Sequence, residues 1–283
     1  MMLVRTLSIA AAALVALVLV ASANSLRFGR RVAREARGMW ASPTEPHAID
    51  RERLGELPPP VRRYLARAVG ARTVGARTVR LRHGGTFRPK LDGAWLPIRG
   101  EEYFAADPPG FVWWGRARIA PGVWVEARDR SVGGVGNMLV SVESTFTLAD
   151  GKGPGMDQGA LLRLLAEMPW IPTALFDDRY LTWTPLDEGR AGAKLRVSGR
   201  EVAGVFGFGA DGLITAFTAD RHRDLGAGKS VLTPWSGRYE DYREIDGMLL
   251  PHSVVVSWNL DGQDTPYARL SVERLEFDAS APF

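Results

Sequence analysis

The feature that most constrains this chain is a period of two. In "TVRLRHGGTFR", Val79 and Leu81 alternate with Arg80 and Arg82. In "FVWWGRARIA", Phe111, Trp113, Ala117 and Ile119 fall on one face and Val112, Trp114, Arg116 and Arg118 on the other. "VWVEARDRSV" and "NMLVSVESTFTLA" continue the pattern, with "DPPG", "APG" and "GGVG" between runs. Successive side chains of a strand point to opposite faces, so alternation marks strands that cover a core on one side. Turn residues at such short intervals imply antiparallel strands joined in sequence rather than βαβ units.

The pattern resumes in "RYLTWTPL", "AKLRVSG", "EVAGVFGFG", "LITAFTADRH", "GRYEDYREIDG", "PHSVVVSWNL" and "PYARLSVERLEF", with Asp211-Gly212 and Asp246-Gly247 where hairpin turns are needed. About twelve strands are expected, five before residue 158 and seven after residue 176. The fold class is mainly β (α+β): one large curved antiparallel sheet, or an incomplete barrel, with a central helix as lid.

That helix is "LLRLLAEMPWIPTALF", Leu161–Phe176, the one stretch that breaks the period. Asp157 is the expected N-cap and Pro169 cannot continue a helix, which bounds the element at 158–168. Leu161, Leu164, Leu165 and Met168 share a face, Leu162 and Ala166 widen it, and Arg163 and Glu167 form a narrow polar edge four residues apart. A surface helix has a wider polar half. The segment therefore either packs into the sheet core or holds an apolar cavity closed, and the pattern leaves both open. A short amphipathic helix, "PVRRYLARAVG", precedes the strands.

The N-terminal "MMLVRTLSIAAAALVALVLVASANSLRFGRR" carries no charge from Thr6 to Leu26. At 1.5 Å per residue such a run covers a hydrocarbon layer of roughly 30 Å. It reads as a transmembrane anchor or, because of Ala21-Ser22-Ala23, as a cleaved signal peptide over residues 1–26. Residues 27–56 read as a basic juxtamembrane linker and 57–283 as a β-rich carrier-like domain. Residues 27–90 hold sixteen Lys or Arg against five acids, a net of +11, whereas residues 91–283 hold nineteen against twenty-seven, a net of −8. The basic block suits anionic lipid headgroups. No nucleic-acid motif accompanies it, so nucleic acid is not an expected partner. Membrane lipids are.

The runs "LPPPVRRYL", "GFVWWGRARI", "LLRLLAEMPWIPTALF", "ADRHR" and "PWSGRYEDYREIDGMLLPHSVVVSW" together resemble a bacterial family of uncharacterised proteins, a domain of unknown function, over residues 57 to about 277. The resemblance implies a single-pass membrane protein with its main domain outside the cytoplasm, although five Arg after the apolar run argue for the opposite side. It implies no activity and no site residues. The strand–helix–strand order is also similar to the outer-membrane lipoprotein carrier fold, an incomplete barrel whose helices close a cavity for acyl chains.

Chemistry-bearing patterns are few. There is no Cys, which removes thiol nucleophiles and Cys-ligated zinc. None of His47, His83, His222 and His252 has the i, i+4 spacing of a helical zinc site, so neither metal nor cofactor is expected. Ser236 lacks the glycine pair of a nucleophile elbow and reads as a turn residue. "GGVGNM" reads as a turn, because a strand follows where a phosphate loop would open a helix. The acids of "YEDYREID" read as a solvated strand face. No catalytic constellation emerges. The leading expectation is non-catalytic binding of a lipid or other apolar ligand by Leu161, Leu164, Leu165, Met168 and Trp170 of the helical segment, with Trp113, Phe206, Phe208 and Trp258 from the strands. The alternatives are an envelope enzyme using Asp220, Arg221 or His222, and a structural protein with a filled core.

Overall fold

The computed structural model describes residues 2–41, 48–226 and 229–283, with side chains in the first helix described from Ala16 onward, Leu17 excepted. Among the described residues three α-helices, α1 (Met2–Trp40), α2 (Pro59–Ala68) and α3 (Pro154–Glu167), accompany thirteen strands. Six strands precede α3: β1 (Thr78–Phe87), β2 (Leu96–Ala106), β3 (Pro109–Ala120), β4 (Val123–Val132), β5 (Val135–Val142) and β6 (Phe146–Gly151). Seven follow: β7 (Leu181–Pro185), β8 (Arg190–Val197), β9 (Arg200–Phe208), β10 (Ile214–Gly226), β11 (Lys229–Ile245), β12 (Met248–Leu260) and β13 (Gln263–Phe277).

The sheet order is β6-β5-β4-β3-β2-β1-β13-β12-β11-β10-β9-β8-β7. The chain thus starts at the middle of the sheet, meanders to one edge, crosses to the other and meanders back until β13 pairs with β1, Val79 opposite Phe277. The apolar segment is that crossing: α3, then two 3-10 turns at Met168–Trp170 and Pro172–Phe176. A flat sheet of thirteen strands is about 58 Å wide at ~4.8 Å per spacing, and the 14 residues of α3 reach only about 21 Å. The sheet is curled, because this short helix packs on β4 and β5 towards one edge and on β9 and β10 towards the other.

Twist completes the curl. At roughly 20–25° per strand, the steps from β4 to β9 accumulate about half a turn. The β4–β5 turn accordingly meets the β8–β9 turn, and a Cβ on Gly134 would stand 2.8 Å from the Val197 carbonyl oxygen. The edges β6 and β7 stay unpaired, so the barrel is incomplete.

The concave face, α2 and the crossing segment share one apolar core, in which Val61, Tyr64, Leu65, Phe104, Phe111, Phe206 and Phe217 are fully buried. A second, smaller core lies on the convex face. There Phe28, Val32, Ala36 and Met39 of α1, spaced i, i+4, i+8, i+11, pack on Tyr103, Ala105 and Val112. Residues 27–40 are thus helical and seated on the sheet where a basic linker was expected, because these four apolar side chains lie on one face between the arginines. Glu35 faces Arg128, whose side chain is wholly buried, at 3.4 Å.

Other differences are local. The run "NMLVSVESTFTLA" is two strands, because Glu143 and Ser144 adopt φ of 51° and 50° and turn the chain. Ser236 is not a turn residue but lies inside β11, opposite Thr218 and Ser257. Among the described residues no helix is long and apolar enough to cross a membrane. The anchor expected over 6–26 falls largely on side chains outside the described set.

Candidate functional site

The site to be judged is the trough between the concave face and the crossing segment. The helix begins four residues before the expected start. Pro154, with fixed φ and no N–H to lose, takes the first turn after Gly153. Asp157 is therefore not the N-cap. Its carboxylate instead accepts hydrogen bonds from the Gly136 amide (2.8 Å) and Arg200 Nε (3.2 Å), tying the helix start to β5 and β9 together.

The residues expected to line an apolar site converge. Leu161, Leu164, Leu165, Met168 and Trp170 are all buried against the concave face, as are Trp113, Phe206 and Phe208. Trp258 is half-buried at the margin of the same core, stacked on Tyr267 at 5.8 Å. Phe208 lies nearer α2, 6.1 Å from Tyr64. These side chains pack on one another, and the space beneath α3 is occupied by the cover's own leucines.

The cover is held by discrete polar bonds. Gln158 donates to the Asp220 carbonyl (2.8 Å) and Arg221 to the Gly159 carbonyl (3.1 Å). Farther along, Tyr239 donates to the Ala166 carbonyl (2.5 Å) and Trp170 Nε1 to the Pro251 carbonyl (2.8 Å). The Asp220–Arg221–His222 run therefore anchors the helix start instead of forming a cleft, with His222 Nδ1 3.2 Å from Ser230 Oγ.

One polar cluster interrupts the apolar lining, and it turns the expected polar edge inward. Arg163 bonds Glu167 (2.8 Å) as its spacing suggests, but also Glu102 of β2 (2.8 Å) and Asp129 of β4 (2.9 Å). Its guanidinium lies 4.8 Å from the Phe111 ring centre and 4.9 Å from that of Trp113. One cation thus faces three carboxyl groups. Burial, then the neighbouring Glu167, pushes the Glu102 carboxyl well above its ordinary range, and burial also raises Glu167. Burial opposes the charged form of Arg163, yet Glu167, Glu102 and Asp129 together hold it protonated.

His83 completes the cluster. Trp113 Nε1, a donor only, donates to His83 Nε2 at 2.8 Å, so the His83 proton resides on Nδ1. Burial, with Arg163 next, pushes His83 down to about 4 and keeps it neutral. Glu102, Asp129 and His83 were not singled out from sequence, because they come from three strands whose neighbours only the register reveals. A signal existed for Asp129, which shares a strand face with Val125 and Ala127. Each group has at least one partner in the cluster, while His83 Nδ1, Asp129 Oδ1 and Glu167 Oε2 are buried with no hydrogen bond among the described residues. No group of three His, Cys, Asp or Glu able to hold a metal occurs among the described residues.

With the geometry in hand, the comparisons define the class. A family of unknown function, DUF6544, matches residues 47–270, and the chain belongs to that family. Among solved structures the chain is similar to the LolA superfamily protein NE2245 from Nitrosomonas europaea, with a TM-score of 0.36 and 11% identity over 72% of this chain and 87% of that one. No curated protein matches the chain in sequence.

Proposed function

We propose that this domain binds an elongated apolar molecule of the lipid type in the trough, by exchanging the cover's side chains for the ligand's hydrocarbon, without catalysis. The observation that carries the proposal is the crossing segment itself. It is not part of the sheet's hydrogen-bonded ladder and presents to the concave side an apolar face broken at one place, the Arg163–Glu167 pair. Exposing Leu161, Leu164, Leu165 and Met168 costs roughly 1.5–3 kcal/mol each, in all about 6–12 kcal/mol. Burying a sixteen-carbon chain returns roughly 13 kcal/mol at ~0.8 kcal/mol per CH₂. The two are of one size, so exchange is energetically open. The uncharged run 6–26 supports attachment to a membrane as the setting for it.

The filled trough favours one competing reading, a structural domain with no guest. Mass spectrometry of lipids extracted from the gently purified full chain separates the two. The carrier reading expects an apolar molecule approaching one per chain, and expects Leu164→Ala with Leu165→Ala to change its amount. Lipid-free protein, or co-purification indifferent to those substitutions while stability falls, supports the structural reading.

A further inference from the structure

The end of the sheet where α1 leaves it carries a second feature. Asn24 Nδ2 bonds Thr145 Oγ1 (3.0 Å) and Ser25 Oγ bonds Glu126 (3.2 Å), so α1 departs beside the β5–β6 turn. Around that exit large apolar side chains stand in solvent: Val18, Leu19, Val20 and Leu26 of α1, Phe146 (65% exposed) and Leu148 (61%) of β6, and Ile119 (45%) at the end of β3. Exposed apolar residues scattered singly need no explanation, but several gathered at one end of the sheet do.

Next to these tips lies an open cleft of about 400 Å³ lined by Gly84, Gly85, Arg99, Arg118, Trp124 and Glu273, among others. Its two glycines let β13 approach closely along one wall. A Cβ on Gly84 would come 2.4 Å from Glu273 Oε1, and one on Gly85, at φ 139°, would come 2.0 Å from the Arg269 carbonyl oxygen. Arg99 lies opposite Gly84 and also opposite Arg116, and Arg118 lies opposite Trp124. Arg116 is paired with Glu126 at 2.8 Å, but no ion pair or hydrogen bond engages Arg99 or Arg118 among the described residues. Two free guanidiniums and an indole beside protruding aliphatic and aromatic tips are the chemistry of a membrane interface, where Trp sits at headgroup depth and Arg meets phosphate.

We infer that this tip is a membrane-docking face: Phe146, Leu148 and Ile119 enter the interfacial layer of an anionic phospholipid bilayer, and Arg99 and Arg118 bind a lipid phosphate in the cleft. The uncharged sequence from Thr6 to Leu26 leads away from this same end, so docking and attachment are continuous. The inference concerns this end of the sheet and does not depend on a ligand in the trough.

The chain has no Cys, so a single introduced thiol is a unique label site. The full chain is reconstituted into phosphatidylcholine vesicles with and without ~30% phosphatidylglycerol, carrying an environment-sensitive fluorophore at Phe146→Cys or, as control, at the exposed Leu186→Cys. The expected result is a blue-shifted label at 146 that is quenched by a lipid-borne quencher in anionic vesicles, and an unaffected label at 186. R99Q with R118Q should lower partitioning of the tip about 25-fold, at roughly fivefold per basic residue near an anionic surface. A label at 146 as water-exposed as that at 186 overturns the docking face. Equal immersion in neutral vesicles overturns the preference for an anionic bilayer, and immersion unchanged by R99Q with R118Q overturns the phosphate site.

Discussion

Replacing Arg163 by Met removes the one cation from a buried cluster while keeping a straight chain of similar length. Glu102 and Asp129 are 2% and 1% exposed in their side chains, and each loses a contact of 2.8 or 2.9 Å to the guanidinium. Taking away one partner of a buried ion pair costs about 3–5 kcal/mol, because the charge left behind is desolvated and uncompensated. With a urea dependence of roughly 2–3 kcal/mol per M for a domain of this size, the midpoint should fall by about 1–2 M at pH 7. The loss should depend on pH in a definite sense. Glu102 and Glu167 have folded-state values raised above their unfolded ones, so the folded state holds their protons more tightly and stability drops as pH rises through the folded values. Arg163→Met strengthens that effect, so its deficit should be larger at pH 8 than at pH 5, and Glu102→Gln in the same background should recover part of it. A midpoint shift below about 0.3 M, or a deficit that grows on acidification, would refute the buried cluster.

Three further outcomes follow from the same geometry. His83 is held at about 4 against an ordinary 6.5, so the unfolded chain takes up its proton first. Stability should therefore be complete above pH 6.5 and fall by about 3 kcal/mol as pH drops through 6.5 to 4, a slope that His83→Gln removes in urea titrations. Leu164→Ala, at a side chain 2% exposed, should cost about 2–5 kcal/mol by the cavity it leaves. Val32→Asp, placing a carboxylate at a site 1% exposed beneath α1, should destabilise the fold by several kcal/mol and expose Arg128, seen as a lower melting temperature and faster amide exchange in β3 and β4.

What the sequence disclosed, and what it hid, divides along physical lines. Strands with one solvated face declared themselves by alternation, as β8 does, its exposure alternating from Ala191 to Val197. β2 did not, because Tyr103, Phe104 and Ala105 are buried in succession, between α1 on one face and the main core on the other. A strand covered on both sides loses its period. The packed stretch of α1 was masked for a related reason: Phe28, Val32, Ala36 and Met39 sit among five arginines, and charge drew the reading toward a linker. The crossing segment was legible as an apolar helix, but its polar pair read only as a narrow edge. Arg163 and Glu167 look outward on a helical wheel until β2 and β4 supply Glu102 and Asp129 behind them. The candidate lining was legible since it needs only periodicity, whereas the charge cluster needs the register of three strands.

The most direct measurement is amide hydrogen exchange across residues 158–176 of the full chain, with and without a long-chain fatty acid. If hydrocarbon replaces the cover, these amides should exchange faster in its presence while those of β1 and β13 stay protected. An exchange pattern identical in both conditions, with the cover as slow as the central strands, would mean that the trough belongs to the protein's own side chains alone.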